Sequence, residues 1–112
     1  WSVIHGHLPE LGIKYDPSHS YYAGRDYLDE IARWGDRILH FHLKGALRVA
    51  GQRIDDPPAG MDDIAWPSIM ALLYAKGYDG VLSIEPHSPV WQGELGDKGV
   101  EYTIKYIRSL MF

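Results

Sequence analysis

The sequence predicts an α/β fold of three strand-then-helix units with parallel strands, laid out as part of a (β/α)8 barrel. Three observations carry this. Short runs of alternating apolar and polar residues recur three times, each followed by an amphipathic helical stripe. One face of every predicted strand is apolar, whereas the other carries small or polar groups. Ionisable residues close the C-terminal end of all three strands, which suits a barrel mouth better than a doubly wound sheet covered on both faces. A whole barrel needs eight units and about 250 residues. The 112 residues therefore supply three units, as one partial domain over 1–112.

The first strand is expected at 11–16, with Leu11, Ile13 and Tyr15 facing one way and Gly12, Lys14 and Asp16 the other. A loop over 17–24 leads to a helix over 26–34, whose stripe is Leu28, Ile31 and Ala32 and whose stop is Gly35. The second strand, 37–44, sets Leu39, Phe41 and Leu43 against Ile38, His40, His42 and Lys44. A loop over 45–64 follows, rich in Gly, Pro and Asp. It exceeds the usual connection of about 2–6 residues in α/β units, so a functional role is expected for it. Pro67 opens a helix over 67–76 that buries Ile69, Met70, Leu73 and Tyr74, and Gly77 ends it. The third strand, 81–85, turns Leu82 and Ile84 away from Val81, Ser83 and Glu85. The last helix is expected at 98–110, along Val100, Ile104, Ile107 and Met111.

Composition narrows the partners. A formal charge of -4 argues against nucleic acid or an anionic membrane surface as the main partner. Without cysteine there is neither a disulfide framework nor a thiolate metal site. No apolar run approaches the roughly 20 residues that span a bilayer. Trp1-Ser2-Val3-Ile4 runs straight into polar residues, unlike a signal peptide, and a cytoplasmic location is expected. The sequence starts without an initiator Met and is expected to continue a longer chain.

Asp16, His42 and Glu85 end the three strands on one predicted face. Neighbouring parallel strands lie roughly 4.8 Å apart, so three strand ends can converge on one ion. Two carboxylates and an imidazole suit Mn²⁺, Mg²⁺, Co²⁺ or Zn²⁺. Either carboxylate alone reads as a turn or helix cap; three such residues in register are harder to dismiss. His40 is either a partner to that site or a hydrogen-bonded interior histidine. Lys44 either stabilises an oxyanion or is a solvated strand-end lysine. His87 reads as a loop residue, and His5 and His7 are given no role. Trp66 and Trp91 either wall a ligand pocket or anchor core and loop, the commoner fate of a tryptophan.

Leu11-Gly12-Ile13-Lys14-Tyr15-Asp16-Pro17-Ser18-His19, then His40-Phe41-His42-Leu43-Lys44, then Gly77-Tyr78-Asp79-Gly80 and Ser83-Ile84-Glu85-Pro86-His87, together resemble the xylose-isomerase-like superfamily. That superfamily holds the sugar phosphate isomerases/epimerases and the family 2 AP endonucleases. The resemblance implies the C-terminal three βα units of a (β/α)8 TIM barrel. It implies Asp16, His42 and Glu85 as metal ligands, with Glu85 also the acid/base. It implies His19 and Arg48 as substrate-binding residues, beside Lys44, and a further glutamate ligand before Trp1. The activity implied is isomerisation or epimerisation of a sugar or sugar phosphate through a metal-stabilised enediolate, with the chain alone inactive. A polyol-ketone dehydratase shares metal and enolate and is the nearer rival. A DNA-repair endonuclease needs more ligands and a basic groove, which this acidic sequence lacks. In a different class stands a non-catalytic truncated module. Three parallel strands leave two open edges, and self-association into a homo-oligomer is expected through them.

Overall fold

A computed structural model describes residues 13–85 and 88–112. The expected start of the first strand, and His5, His7 and His87, fall outside these residues. Strand β1 (Ile13–Tyr15) leads into α1 (Pro17–Tyr22), then α2 (Tyr27–Trp34), a 3-10 turn (Gly35–Arg37) and β2 (Ile38–Leu43). Two short strands follow, β3 (Leu47–Val49) and β4 (Gln52–Asp55), then α3 (Trp66–Ala75), β5 (Val81–Ile84) and α4 (Gly93–Ser109).

β1, β2 and β5 form a parallel sheet in that order, as three βα units require. Phe41, Leu43 and Tyr15 turn to the helix side and are almost fully buried. There they join Ile31 of α2, Trp66, Ile69, Met70 and Leu73 of α3, and Ile107 of α4. The Tyr15 and Phe41 rings lie 5.5 Å apart. The Tyr15 hydroxyl donates to Glu30 Oε1 at 2.8 Å, which satisfies it at the core edge.

Four expectations change. The segment read as a loop after β1 is helix α1, because Asp16 caps it and Pro17 fits its first turn. The long 45–64 connection contains the antiparallel hairpin β3–β4. Its turn residues Ala50 (φ 52) and Gly51 (φ 78) both adopt the left-handed conformation that tight hairpins need. The last helix begins at Gly93, five residues earlier than its apolar stripe suggests. Finally, the alternation in β2 slips at its start. Ile13 pairs with Ile38 and Lys14 with His40, so Leu39 is an extra residue opposite β1. Ile38 takes the buried position, and Leu39 is left 62% exposed.

Candidate active-site face at the strand ends

The register of the sheet decides which side chains meet. Tyr15 pairs with Phe41, so Asp16 follows level with His42. His42 pairs with Ser83, and Leu43 with Ile84. The Glu85 amide donates to the Leu43 carbonyl at 3.4 Å, which carries the pairing one residue further. Glu85 is thus level with Lys44, about 6.6 Å along the strand from the Asp16–His42–Ser83 row. Asp16 and His42 line one cleft of about 250 Å³ with Lys14, His19 and Arg25. Glu85 lines a neighbouring, narrower cavity with Lys44, Asp56 and Trp91.

Asp16 does two things at once. Its Oδ1 accepts from the Ser18 amide (2.9 Å) and hydroxyl (2.6 Å), the cap that starts α1. Its Oδ2 faces His19 Nε2 at 3.6 Å and Lys44 Nζ at 3.9 Å. Lys44 is not a solvated strand-end lysine, since its side chain is only 10% exposed. Its ammonium lies midway between two carboxylates, 3.9 Å from Asp16 and 3.9 Å from Asp56. A buried ammonium needs such partners, because desolvation penalises an unpaired charge.

Asp56 was not singled out by the sequence, although Asp55-Asp56-Pro57-Pro58 stands at the hairpin root. The Tyr22 hydroxyl lies 2.5 Å from Asp56 Oδ1 and accepts from the Leu47 amide at 3.1 Å. Arg53 pairs with Asp56 Oδ2 and lies over the Tyr22 ring, 4.3 Å from its centroid. Burial, then the bond to Asp56, pushes the Tyr22 hydroxyl up to about 12. Gly45 lets the root come this close. A Cβ there would stand 2.0 Å from the Pro57 carbonyl oxygen.

Arg48 is placed on β3. Its guanidinium donates to the Tyr21 carbonyl at 3.0 Å and lies 4.2 Å from the Tyr21 ring centroid. The Arg48 amide and the Tyr21 hydroxyl both donate to Asp63, and the amide leads in holding that carboxyl below its usual range. His19 stands at the cleft rim with its side chain largely exposed.

His40 has a definite partner. Its Nε2 is 2.7 Å from Ser83 Oγ, and the Ser83 hydroxyl donates to Glu85 Oε1 at 3.3 Å. The His40 and His42 rings meet edge to face at 5.0 Å. Trp66 belongs to the core, with Nε1 donating to Asp62 Oδ1 at 2.9 Å. Burial pushes the Asp62 carboxyl up, against donors from Ala46, Gly60, Trp66 and Ile64.

The donor types at the strand ends suit a divalent ion. Among the described residues, however, no three His, Asp or Glu side chains are gathered to hold one. Asp16 and His42 share a row, and Glu85 lies in the next.

The family of xylose isomerase-like TIM barrels matches residues 2–110. The chain belongs to that family. Two solved structures resemble it. A xylose isomerase domain protein from Planctomyces limnophilus is 20% identical with a TM-score of 0.78, over 97% of this chain and 41% of its own. A xylose isomerase domain protein from Alicyclobacillus acidocaldarius subsp. acidocaldarius is 19% identical with a TM-score of 0.72, over 98% of this chain and 41% of its own. At these identities the likeness is one of fold. The chain spans about two-fifths of the length of these structures, so its α/β sheet corresponds to part of a TIM-barrel protein. No curated protein matches it. Among the described residues no helix is long and apolar enough to cross a membrane.

Proposed function

We propose that this chain forms the C-terminal three βα units of a sugar or sugar-phosphate isomerase or epimerase that works with a divalent ion. One observation supports this reading above others. A parallel sheet delivers Asp16, His42 and Glu85, with Lys44, to the same end and the same face of three adjacent strands. Asp16, His42 and Glu85 would hold the ion, with a glutamate that the family resemblance puts on a preceding strand. When bound, such an ion lowers the cost of negative charge on a substrate oxygen.

The chain's own residues then have distinct tasks. Glu85 takes the proton from the carbon beside a ketose carbonyl; isomerisation delivers it to the neighbouring carbon, whereas epimerisation needs the second glutamate, on the preceding strand, to reprotonate the opposite face. His40 and Ser83 hold Glu85 Oε1 through the two hydrogen bonds above, which fixes the carboxylate's orientation. Lys44 supplies positive charge beside this row, and His19 at the rim meets substrate hydroxyls. Arg48 acts through the hairpin it braces against Tyr21. A sugar with several hydroxyls fits a face lined by imidazoles, carboxylates and an ammonium.

Calorimetric titration with Mn²⁺ tests the reading. One site is expected, weakened by roughly ten-fold or more in each of Asp16→Ala, His42→Ala and Glu85→Ala. If all three variants bind Mn²⁺ as the parent does, the ligand assignment is wrong.

A second reading rests on the same sheet. Leu39 and Val81 are 62% and 56% exposed, and β1 and β5 end the order of described strands. Such a face favours association with further strands, including those of a second copy. Sedimentation that returned a stable monomer at micromolar concentration would count against self-association.

A further inference from the structure

Lys44 is the one described lysine with a buried side chain, and its position depends on a residue outside the strand-end triad. We infer that Asp56 is a positioning residue: it holds the Lys44 ammonium off Asp16, so the seating of the β3–β4 hairpin sets the charge at the strand ends. The inference rests on the reading of Asp16 as an ion ligand, but its geometric half stands without it.

The geometry is a chain of contacts from hairpin to sheet. Asp56 follows directly on β4, and its side chain is 1% exposed. Three groups converge on it: the Tyr22 hydroxyl from α1, the Arg53 guanidinium from β4, and the Lys44 ammonium from the end of β2. Tyr22 also accepts from the Leu47 amide, so α1 grips both strands of the hairpin. Asp55 is tied as well, since Ser88 Oγ lies 2.5 Å from its Oδ1. A carboxylate so fixed cannot follow a moving lysine. The lysine, with four rotatable methylenes, follows the carboxylate.

The consequence concerns Asp16. With equal 3.9 Å distances, the ammonium is shared between two carboxylates. Remove the charge of Asp56, and among the described residues the acidic group left within 4 Å is Asp16. A closer Lys44–Asp16 pair competes with any cation for Asp16 Oδ2, in a setting where burial weakens solvent screening. Asp56 therefore acts on Asp16 through Lys44. It does not touch the cleft lined by Asp16 and His42.

Two measurements test this, and the first needs no metal. Acetylation of lysines by a water-soluble active ester, read residue by residue by mass spectrometry, should leave Lys44 slow beside exposed Lys98 in the parent. In Asp56→Asn the rate should change several-fold at Lys44 alone, with the circular dichroism spectrum retained. Unchanged protection of Lys44 in Asp56→Asn would overturn the positioning role. The second is a Mn²⁺ titration of the parent, Asp56→Asn, Lys44→Met and the double variant. Asp56→Asn should weaken binding by roughly ten-fold, and Lys44→Met should strengthen it. In the Lys44→Met background the effect of Asp56→Asn should shrink to a small part of that. An equal loss in both backgrounds would show that Asp56 acts without Lys44, and the inference would fall. A parent that binds no Mn²⁺ overturns the ligand reading and the Asp16 half of the inference, while the labelling result still decides the Asp56–Lys44 half.

Discussion

The two faces of the parallel sheet differ in how far this chain completes them. On the helix side, Tyr15, Phe41 and Leu43 vanish under α2, α3 and α4. On the other side, Leu39 and Val81 stand exposed, and His40, His42, Ser83 and Glu85 are half-covered. Residues two apart on β2 thus have opposite environments where the bulge at Leu39 breaks the alternation. One face is a finished core held by burial. The other is a surface whose order comes from hydrogen bonds and ion pairs near the strand ends, with apolar residues deeper in it that nothing described here covers.

The largest expected effect tests that contrast directly. Phe41→Ala should cost about 3–5 kcal/mol, since a fully buried aromatic leaves a cavity. Leu39→Ala should cost under about 1 kcal/mol, because its side chain is already in water. Urea denaturation of both variants measures the difference. A Leu39 cost comparable to that of Phe41 would break the comparison and mean that the open face is covered in solution.

A smaller effect probes the polar side. Tyr22→Phe should cost about 1–2 kcal/mol, by leaving Asp56 and the Leu47 amide each short of a partner. It should also alter the alkaline limb of stability. Tyr22 holds its proton in the fold to about pH 12, against an ordinary value of 10.0. The stability from that proton is complete below pH 10 and is lost as pH rises through about 12. Thermal melts between pH 8 and 12 should therefore fall less steeply in Tyr22→Phe than in the parent. Parallel curves would mean that the Tyr22–Asp56 contact does not govern this limb.

The smallest effect sets the baseline for charge pairs. Arg33 meets Asp29 at 3.0 Å one turn away on α2, with both side chains well exposed. Arg33→Ala should change stability by less than about 0.5 kcal/mol and lose even that in high salt. A larger cost would place surface ion pairs on a level with the buried ones and blur the contrast between buried and open.

Much of the helix side was legible because one stripe or one alternation specifies it. The helices expected at 26–34 and 67–76 match α2 and α3 to within a residue at each end. What escaped notice was short or built from unfavourable residues. Helix α1 has six residues, too few for a period, and the cap reading of Asp16 alone does not reveal a helix behind it. The hairpin turns on Ala50-Gly51, where Ala occupies a left-handed position that Asn or Asp would have advertised. The first turns of α4 carry Gly93, Gly96 and Gly99, so its apolar stripe starts late.

The site was legible in its direction along the strands and not in its depth. Alternation put Asp16, His42 and Glu85 on one face. It could not show that Glu85 stands level with Lys44, because register between parallel strands is set by packing across the sheet. Asp56 escaped for a related reason. Nothing local in Asp55-Asp56-Pro57-Pro58 says that its carboxylate will meet a lysine twelve positions earlier in the chain.

The hairpin has a consequence for how this surface can be altered. Its root is crowded: Gly45 has no room for a methyl group beside Pro57, and Asp55 and Asp56 are each held by side chains from other elements. Its tip is open, and a Cβ built on Gly51 meets nothing within 4 Å. Residues inserted between Ala50 and Gly51 would extend outward while the base stays clamped. The segment thus offers a grafting point, where new recognition loops can be attached without disturbing the charges beneath them.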